Sequence, residues 1–187
     1  MPKQKITKGM VVEAAFEVAR EHGMEQVMVK SIAERLSCSV QPIYSYCKNM
    51  DGLRQDVAIR TKQFIREYIA KRTNPQDLFR SIGQAHLQLA RDEPNLFKIF
   101  ILHQREGISS LEDLYQSESD PHIADFIAEQ LDITTTQAKL LHLNMLIYTI
   151  GIGTIFSVTT PGIPAEEIFA KQAEAFQAFY NMVTEKK

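Results

Sequence analysis

Apolar residues in this chain recur at the spacing of a helix, and over no useful length at the spacing of a strand. Val12, Ala15, Phe16 and Ala19 stand at i, i+3, i+4 and i+7, with Glu13, Glu17 and Glu21 on the other face, so residues 7–22 predict an amphipathic helix. Thr7 is its candidate N-cap and Gly23 its candidate stop. A second short helix over 29–36 points Ile32, Ala33 and Leu36 inward and is closed by Ser37-Cys38-Ser39. Ser39 can cap a third helix beginning at Val40. Pro42 then falls at the third position of the first turn, where the missing N–H had no partner within the helix anyway.

Longer helices follow at 51–71, 76–91, 95–105, 108–116, 121–131, 134–159 and 165–184. They are separated at Thr73-Asn74-Pro75 and Glu93-Pro94, with Pro121, Pro161 and Pro164 near helix ends. The chain has only 8 Gly and 7 Pro, which favours helix throughout. With 44% hydrophobic and 24% charged residues, its 187 residues can bury a core. The predicted class is all-α. Two helices joined by a tight turn and braced by a preceding helix form the unit that places its last helix in the DNA major groove. The expected organisation is therefore a helix-turn-helix domain over 1–50 and a larger helical domain over 51–187.

The two cysteines, Cys38 and Cys47, are too few for a disulfide scaffold and lack zinc-site spacing. The lysines near the N-terminus are not followed by the apolar run of a signal peptide. A cytoplasmic protein is expected. Residues 140–165 carry no charge and approach spanning length, but His142, Asn144, Thr149, Gly151, Gly153, Thr154 and Ser157 interrupt them. A core or interface helix is the expectation there, with no membrane partner.

The stretches VVEAAFEVAREHG and VKSIAERLSCSVQPIYSYCKNMDGL resemble the DNA-binding domain of the TetR family of transcriptional regulators, over about residues 5–53. Gly23, Ile32-Ala33, Ser39, Ile43-Tyr44, Asp51 and Leu53 are in register with that family's pattern. The chain departs at Ser37, where Gly is usual, at Tyr46-Cys47, where His-Phe is usual, and at Met50, where a phosphate-contacting Lys is usual. Lys48 is the nearest residue to carry that charge. Charge is partitioned the same way. Seven Lys and Arg face five Glu in residues 1–50, a net +2 that leaves −4 for the remainder of a chain of net charge −2. Lys3, Lys5, Lys8, Lys30 and Lys48 supply the electrostatic attraction that phosphates require.

Within the third helix, Gln41 is the candidate base reader, because its amide presents both a donor and an acceptor to adenine's edge. Val40 and Pro42 offer apolar contact, for instance to a thymine methyl. Tyr44, Ser45, Tyr46 and Lys48 suit backbone phosphates, which position the domain without encoding sequence, and Ser39 and Lys30 complete the candidate DNA-binding residues. For Tyr44 the resemblance implies the same, since the matching tyrosine is a usual phosphate contact.

The resemblance also implies that the second domain dimerises and binds a small effector. The last helix carries Phe169, Ala173, Phe176, Tyr180 and Val183 at spacings of a helix-packing seam, and Gly151 on the preceding helix permits close approach of backbones. A homodimer on a palindromic operator is expected. An effector cavity should be mostly apolar with a few convergent polar groups. On the middle helices the candidates are Phe79, His86, Phe97, Phe100, Ile101 and His103. Further along they are Tyr115, His142, Met145 and Tyr148, and buried His86, His142 and Asn144 would need partners. A small, largely apolar effector follows.

No phosphate loop, H-E-x-x-H, G-x-S-x-G or paired catalytic carboxylates occur. The five histidines show no i, i+4 pairing. Neither an enzyme, a cofactor nor a metal site is expected. The alternatives are a helical protein-interaction module and a small-molecule-binding protein without sequence-specific DNA binding. A repressor released by effector is the reading that the resemblance to the TetR family implies. Replacing Gln41 by Ala should relax base preference, whereas Lys48→Ala should weaken binding to all sequences alike. A binding scan over operator variants checks this, and the reverse outcome overturns both assignments.

Overall fold

The computed structural model of the chain describes residues 6–47, 49–159 and 162–185. Lys3, Lys5, Lys48 and Pro161, each singled out above, lie outside the described residues. Among those described there are ten α-helices and no strand. In chain order they are α1 (Lys8–His22), α2 (Val29–Arg35), α3 (Val40–Tyr46), α4 (Met50–Ala70) and α5 (Leu78–Asp92), then α6 (Pro94–Ile101), α7 (Leu111–Glu118), α8 (Ile123–Leu131), α9 (Thr135–Val158) and α10 (Ala165–Thr184). The all-α class is the observed one, and the helix ends fall within a turn of those expected, with one exception. The helix expected over 95–105 stops at Ile101. Beyond it the Arg105 Nη1 donates back to the His103 carbonyl and its Nε pairs with Glu118, contacts that no local pattern announces.

The chain folds as two compact units. The first comprises residues through Lys71 together with Asp92–Leu102; the second comprises Arg72–Arg91 and His103 onward. The first unit thus extends past the helix-turn-helix segment over 1–50. Its core explains why. Val11, Ala14, Ala15, Val18 and Ala19 of α1 meet Ile32 and Ala33 of α2, Ile43 of α3 and Leu53 and Val57 of α4 in one apolar cluster. The inner face of α4 therefore continues the core that α1–α3 begin. Ile99 of α6 packs against the same cluster, and Leu96 and Phe97 beside it are fully buried. The Arg20 Nε donates to Glu93 Oε2 at 2.8 Å and the Asn95 amide donates to the Arg20 carbonyl at 3.0 Å, fixing the start of α6 to the end of α1.

Helix ends follow from local chemistry. Thr7 Oγ1 accepts the Met10 N–H at 3.3 Å, and Gly23 ends α1 at φ +92°, a backbone region that glycine enters without strain. The Ser31 hydroxyl accepts from the Met28 N–H and donates to the Gln26 carbonyl, closing the first turn of α2 from both sides. α2 ends with Cys38 N–H to the Ala33 carbonyl and Ser37 N–H to the Glu34 carbonyl, both at 3.0–3.1 Å, the paired bonds of a Schellman motif. This motif needs a left-handed residue, and Ser37 supplies it at φ +50°. Ser39 sits at the N-cap of α3 with extended backbone, but its side chain makes no capping bond. Pro42, at the third helical position, removes one of the two N–H groups a capping side chain can reach, and the serine makes no bond to the other, that of Gln41.

The second unit is built on α9 and α10. Thr134 and Gln137 form a capping box at the start of α9, and Gln137 Nε2 reaches across to the Val183 carbonyl at 2.8 Å. Leu141, Met145 and Val183 pack with Phe79, Leu131, Ile133, Phe176, Phe179 and Tyr180. Leu87, Phe156, Ala165 and Ile168 form a second cluster, with Ile152, Ile163 and Phe169 against it. By length and composition α9 is apolar enough to cross a membrane. It buries only one stripe, Ala138, Leu141, Met145, Thr149, Gly153 and Phe156, against its neighbours. Its other face leaves Leu140, Ile147, Ile155 and Val158 exposed, so burial on all sides does not occur within one chain.

A serine held left-handed carries strain of about 1–2 kcal/mol that glycine relieves, less about 0.4–1 kcal/mol for the freer unfolded chain. Ser37→Gly should therefore stabilise the first unit by about 0.5–1 kcal/mol, visible as a higher thermal midpoint. A lower midpoint would show that the serine side chain contributes more than its backbone strain removes.

Candidate nucleic-acid interface

α3 has seven residues, too few to be stable alone, so tertiary contacts hold it. Ile43 is its fully buried anchor, and Cys47 at its C-terminal end is buried with it. The helix has one inward face, and its candidate contact residues fall on the other. Ser39, Val40, Gln41, Tyr44, Ser45 and Tyr46 are all exposed and Pro42 is half-buried. Tyr44 has 60% of its surface accessible, far more than a packing role would leave. The Ser45 hydroxyl donates to the Gln41 carbonyl at 3.2 Å and keeps its lone pairs outward. Lys30, on α2, is exposed and reaches Glu34 one turn on at 3.9 Å, too loose a pair to hold it against a phosphate.

Tyr46 behaves differently from the other candidates. Its hydroxyl donates to the Ile6 carbonyl at 2.8 Å, joining residues forty apart in sequence. A phenol has one O–H proton and phosphate oxygens only accept, so Tyr46 donates to phosphate only by giving up Ile6. Sequence reasoning missed this contact, because nothing local to either residue signals it. Cys38 and Cys47 are both free thiols, and burial foremost pushes the Cys47 thiol up from its ordinary range. A thiol so placed is a poor redox sensor.

The effector candidates divide between the two units. Phe97, Phe100 and Ile101 belong to α6 in the first unit, where Phe97 and Ile101 are core. In the second unit Phe79, Tyr115 and His142 come together. The ring centres of Phe79 and His142 are 5.7 Å apart, and those of Tyr115 and His142 are 5.4 Å apart, both edge-on. The Tyr115 hydroxyl lies 3.1 Å from His142 Nδ1. His86 lies on α5, the helix that carries Phe79, and its Nδ1 donates to the Ile82 carbonyl at 2.9 Å. Met145 joins the apolar cluster beside them. His103 instead faces Glu118 at 3.8 Å, and the Tyr148 hydroxyl donates to the Lys171 carbonyl at 3.3 Å.

Among the described residues, Asn144 Nδ2 on α9 and Gln172 Oε1 on α10 are buried polar groups that meet no hydrogen-bond partner. Gln172 Nε2 bonds Thr149 Oγ1 at 3.3 Å, and a Cβ at Gly83 would come within 2.6 Å of that nitrogen. Gly83 is what lets the amide in. Of the expected dimer seam, Phe176 packs on Phe79 at 5.8 Å and stacks on Tyr180, and Phe169 packs against the Leu87 cluster. These three rings are half-buried inside the chain, whereas Ala173 and Gly151 are exposed. Among the described residues no three His, Cys, Asp or Glu side chains converge to hold a metal ion.

Burial is the main cause holding the His142 pKa down at about 4, and burial likewise lowers that of His86. Above pH 6.5 these imidazoles are neutral in both the folded and the unfolded chain. Between 6.5 and about 4 the unfolded chain takes up protons that folded His142 refuses, so stability should fall as the solution is acidified. The slope is at most about 1.4 kcal/mol per pH unit for one such group. Urea midpoints at pH 7 and pH 5 measure it, and His142→Gln should narrow their difference. A difference left intact would place the acid sensitivity elsewhere.

Comparison with known proteins bears on the fold. No family model matches the chain. A TetR-like transcriptional regulator from Rhodococcus sp. RHA1 superposes with TM-score 0.64 at 13% identity, covering 100% of both chains. A second transcriptional regulator from the same source gives TM-score 0.56 at 14% identity, covering 96% of this chain and 97% of the other. A bacterial regulatory protein in the tetR family from Rhodococcus RHA1 gives 0.52 at 15%, covering 91% and 95%. In sequence, the uncharacterized HTH-type transcriptional regulator YobS of Bacillus subtilis (strain 168) is 22% identical over 105 residues. That match spans 54% of this chain and 54%, about half, of the relative. By the arrangement of its helices, and over its full length, this chain has the fold of the TetR-like transcriptional regulators.

Proposed function

We propose that this protein is a transcriptional regulator, a cytoplasmic repressor that binds palindromic operator DNA as a homodimer and is released by a small, largely apolar effector. The observation that carries this reading is the outward face of α3. Gln41, Tyr44 and Ser45 stand exposed on a short helix whose opposite side is locked by fully buried Ile43. A helix so held presents donors, acceptors and a methyl-contacting Val40 at fixed positions, which groove reading requires. Ser39, Tyr44, Ser45, Lys30 and Lys48 serve the phosphates, and residues 1–50 carry this task.

Residues 51–187 carry dimerisation and effector binding. The exposed apolar strip of Leu140, Ile147, Ile155 and Val158 on α9, with Gly151 among them, supports pairing of two chains. One helix-turn-helix reads too few base pairs for useful specificity, which independently favours a pair. The cluster of Phe79, Tyr115 and His142 supports an apolar ligand, since burial keeps the His142 imidazole neutral at pH 7, where it offers hydrogen bonds without charge. Asn144 Nδ2 and Gln172 Oε1 are buried groups to which a ligand or second chain can supply a partner. Release requires that the effector prefer a dimer whose recognition helices no longer match successive major grooves, about 34–36 Å apart. No catalytic step is invoked.

The test is a binding selection from pooled random duplexes at two salt concentrations, with sequencing of what is retained. An enriched palindrome whose affinity falls as salt rises is the expected result. Retention without enrichment overturns the operator reading in favour of a helical module that binds a protein partner.

A further inference from the structure

Within the second unit a cavity of about 140 Å³ opens where α7, α8 and the start of α9 meet. That is close to the roughly 150 Å³ that holds one benzene molecule, so its occupant has the bulk of a single ring. Buried Tyr115 and Ala124, with Pro121 at the rim, give it apolar walls. The Tyr115 hydroxyl lies 3.1 Å from His142 Nδ1, so a molecule in the cavity touches the aromatic cluster described above. The polar part of the lining has a definite sign. Asp120 Oδ1 accepts the His122 N–H at 2.9 Å and Asp125 Oδ1 accepts the Thr135 hydroxyl at 3.0 Å, which leaves each carboxylate with acceptor positions to spare. Among the described residues, neither carboxylate forms an ion pair with a Lys, Arg or His side chain. The cation in the lining, Lys139, is committed to Glu112. Its ammonium lies 5.2 Å from the centre of the Tyr115 ring, so this wall of the cavity already accepts one ammonium group. The Ser119 oxygen, beside the Tyr115 phenol, is buried and completes no hydrogen bond among the described residues.

We propose that this cavity binds a small amine of about one ring's bulk, with its ammonium held by Asp120, Asp125 and the Ser119 oxygen and its apolar body against Tyr115, and that this amine is the effector. An anion in the same place would meet two unpaired carboxylates. A protonated amine brings three N–H donors to oxygens with room for them, and its charge suits the face of the ring. The largely apolar effector thereby acquires one positive charge. Its role as effector rests on the regulator reading above, whereas the binding of an amine in this cavity does not.

The experiment is titration calorimetry on the full chain at pH 7 with benzylamine, benzyl alcohol and benzoate, three compounds of similar bulk that differ in charge. Benzylamine should bind about tenfold more tightly than benzyl alcohol, and benzoate most weakly of the three. Asp120→Asn combined with Asp125→Asn removes both charges and keeps the oxygens that accept from His122 and Thr135. This double variant should leave the thermal midpoint nearly unchanged and erase the preference for the amine. In a second arm, saturating benzylamine should weaken binding to the selected operator duplex in the unaltered protein and have no effect in the double variant. Binding of none of the three compounds overturns the site, as does benzyl alcohol or benzoate binding as tightly as the amine, or a preference that survives in the double variant. Benzylamine that binds without changing operator affinity overturns its assignment as effector. If the protein selects no operator, the regulator reading falls, and the calorimetric comparison still decides whether the cavity takes an amine.

Discussion

The burial of Ile43 is the constraint on which the candidate interface depends. A seven-residue helix has almost no stability of its own, so α3 exists because one side chain fills a cleft lined by α1 and α2. Once that residue is fixed, helical geometry dictates where every other side chain points. Gln41, Tyr44 and Ser45 are outward for the same reason that Ile43 is inward. The turn before it contributes equally: the paired bonds of Cys38 and Ser37 to the end of α2 set the direction in which the chain enters α3. That turn is made with a serine in a backbone conformation that glycine would adopt freely.

The same core reaches beyond the three helices. Leu53 and Val57 carry it into α4, and aromatic and cationic groups continue it along the flank. The Arg60 guanidinium lies 4.5 Å over the Phe16 ring while pairing with Glu13, and Arg20 lies 5.1 Å over Phe64 while pairing with Glu93. Each arginine stem covers apolar surface that would otherwise face water. The Tyr68 hydroxyl donates to Asp92 at 2.6 Å, adding a second link to the segment that leads into α6. The second unit has a different interior. Imidazoles, a phenol and the Gln172 amide share its core with aliphatic side chains, so it excludes charge while retaining places to form hydrogen bonds.

Much of this was legible in the residue pattern, for definite physical reasons. Helices whose apolar residues repeat every three or four positions announce themselves, and Thr7 and Gly23 mark their ends because capping is local chemistry. The outward face of α3 was also legible, since Gln41, Tyr44 and Ser45 carry the groups that suit bases and phosphates and Ile43-Tyr44 is in register with the TetR-like pattern. Other features depend on partners distant in sequence. Arg105, in the stretch where α6 was expected to continue, pairs with Glu118, and the commitment of Tyr46 answers to Ile6. Ser39 makes no cap bond, and Pro42 removes one of the two N–H groups it could have reached. Phe169, Phe176 and Tyr180 read as a seam for another helix, and the helices they meet include this chain's own α5 and α9. Periodicity shows that a face is apolar and leaves open what covers it.

The sequence by itself therefore determined the class of fold, the number and approximate ends of the long helices, and the chemistry displayed on the recognition helix. These follow from backbone hydrogen bonding, capping and the 3.6-residue period, all of which act within a few residues. Only the tertiary structure decided that α4 and α6 share a compact unit with the helix-turn-helix, that Tyr46 holds the chain ahead of α1, and that Phe79, Tyr115 and His142 meet in one cluster. Those outcomes depend on which apolar faces find one another in three dimensions, a competition among many contacts of similar strength that no single segment can settle.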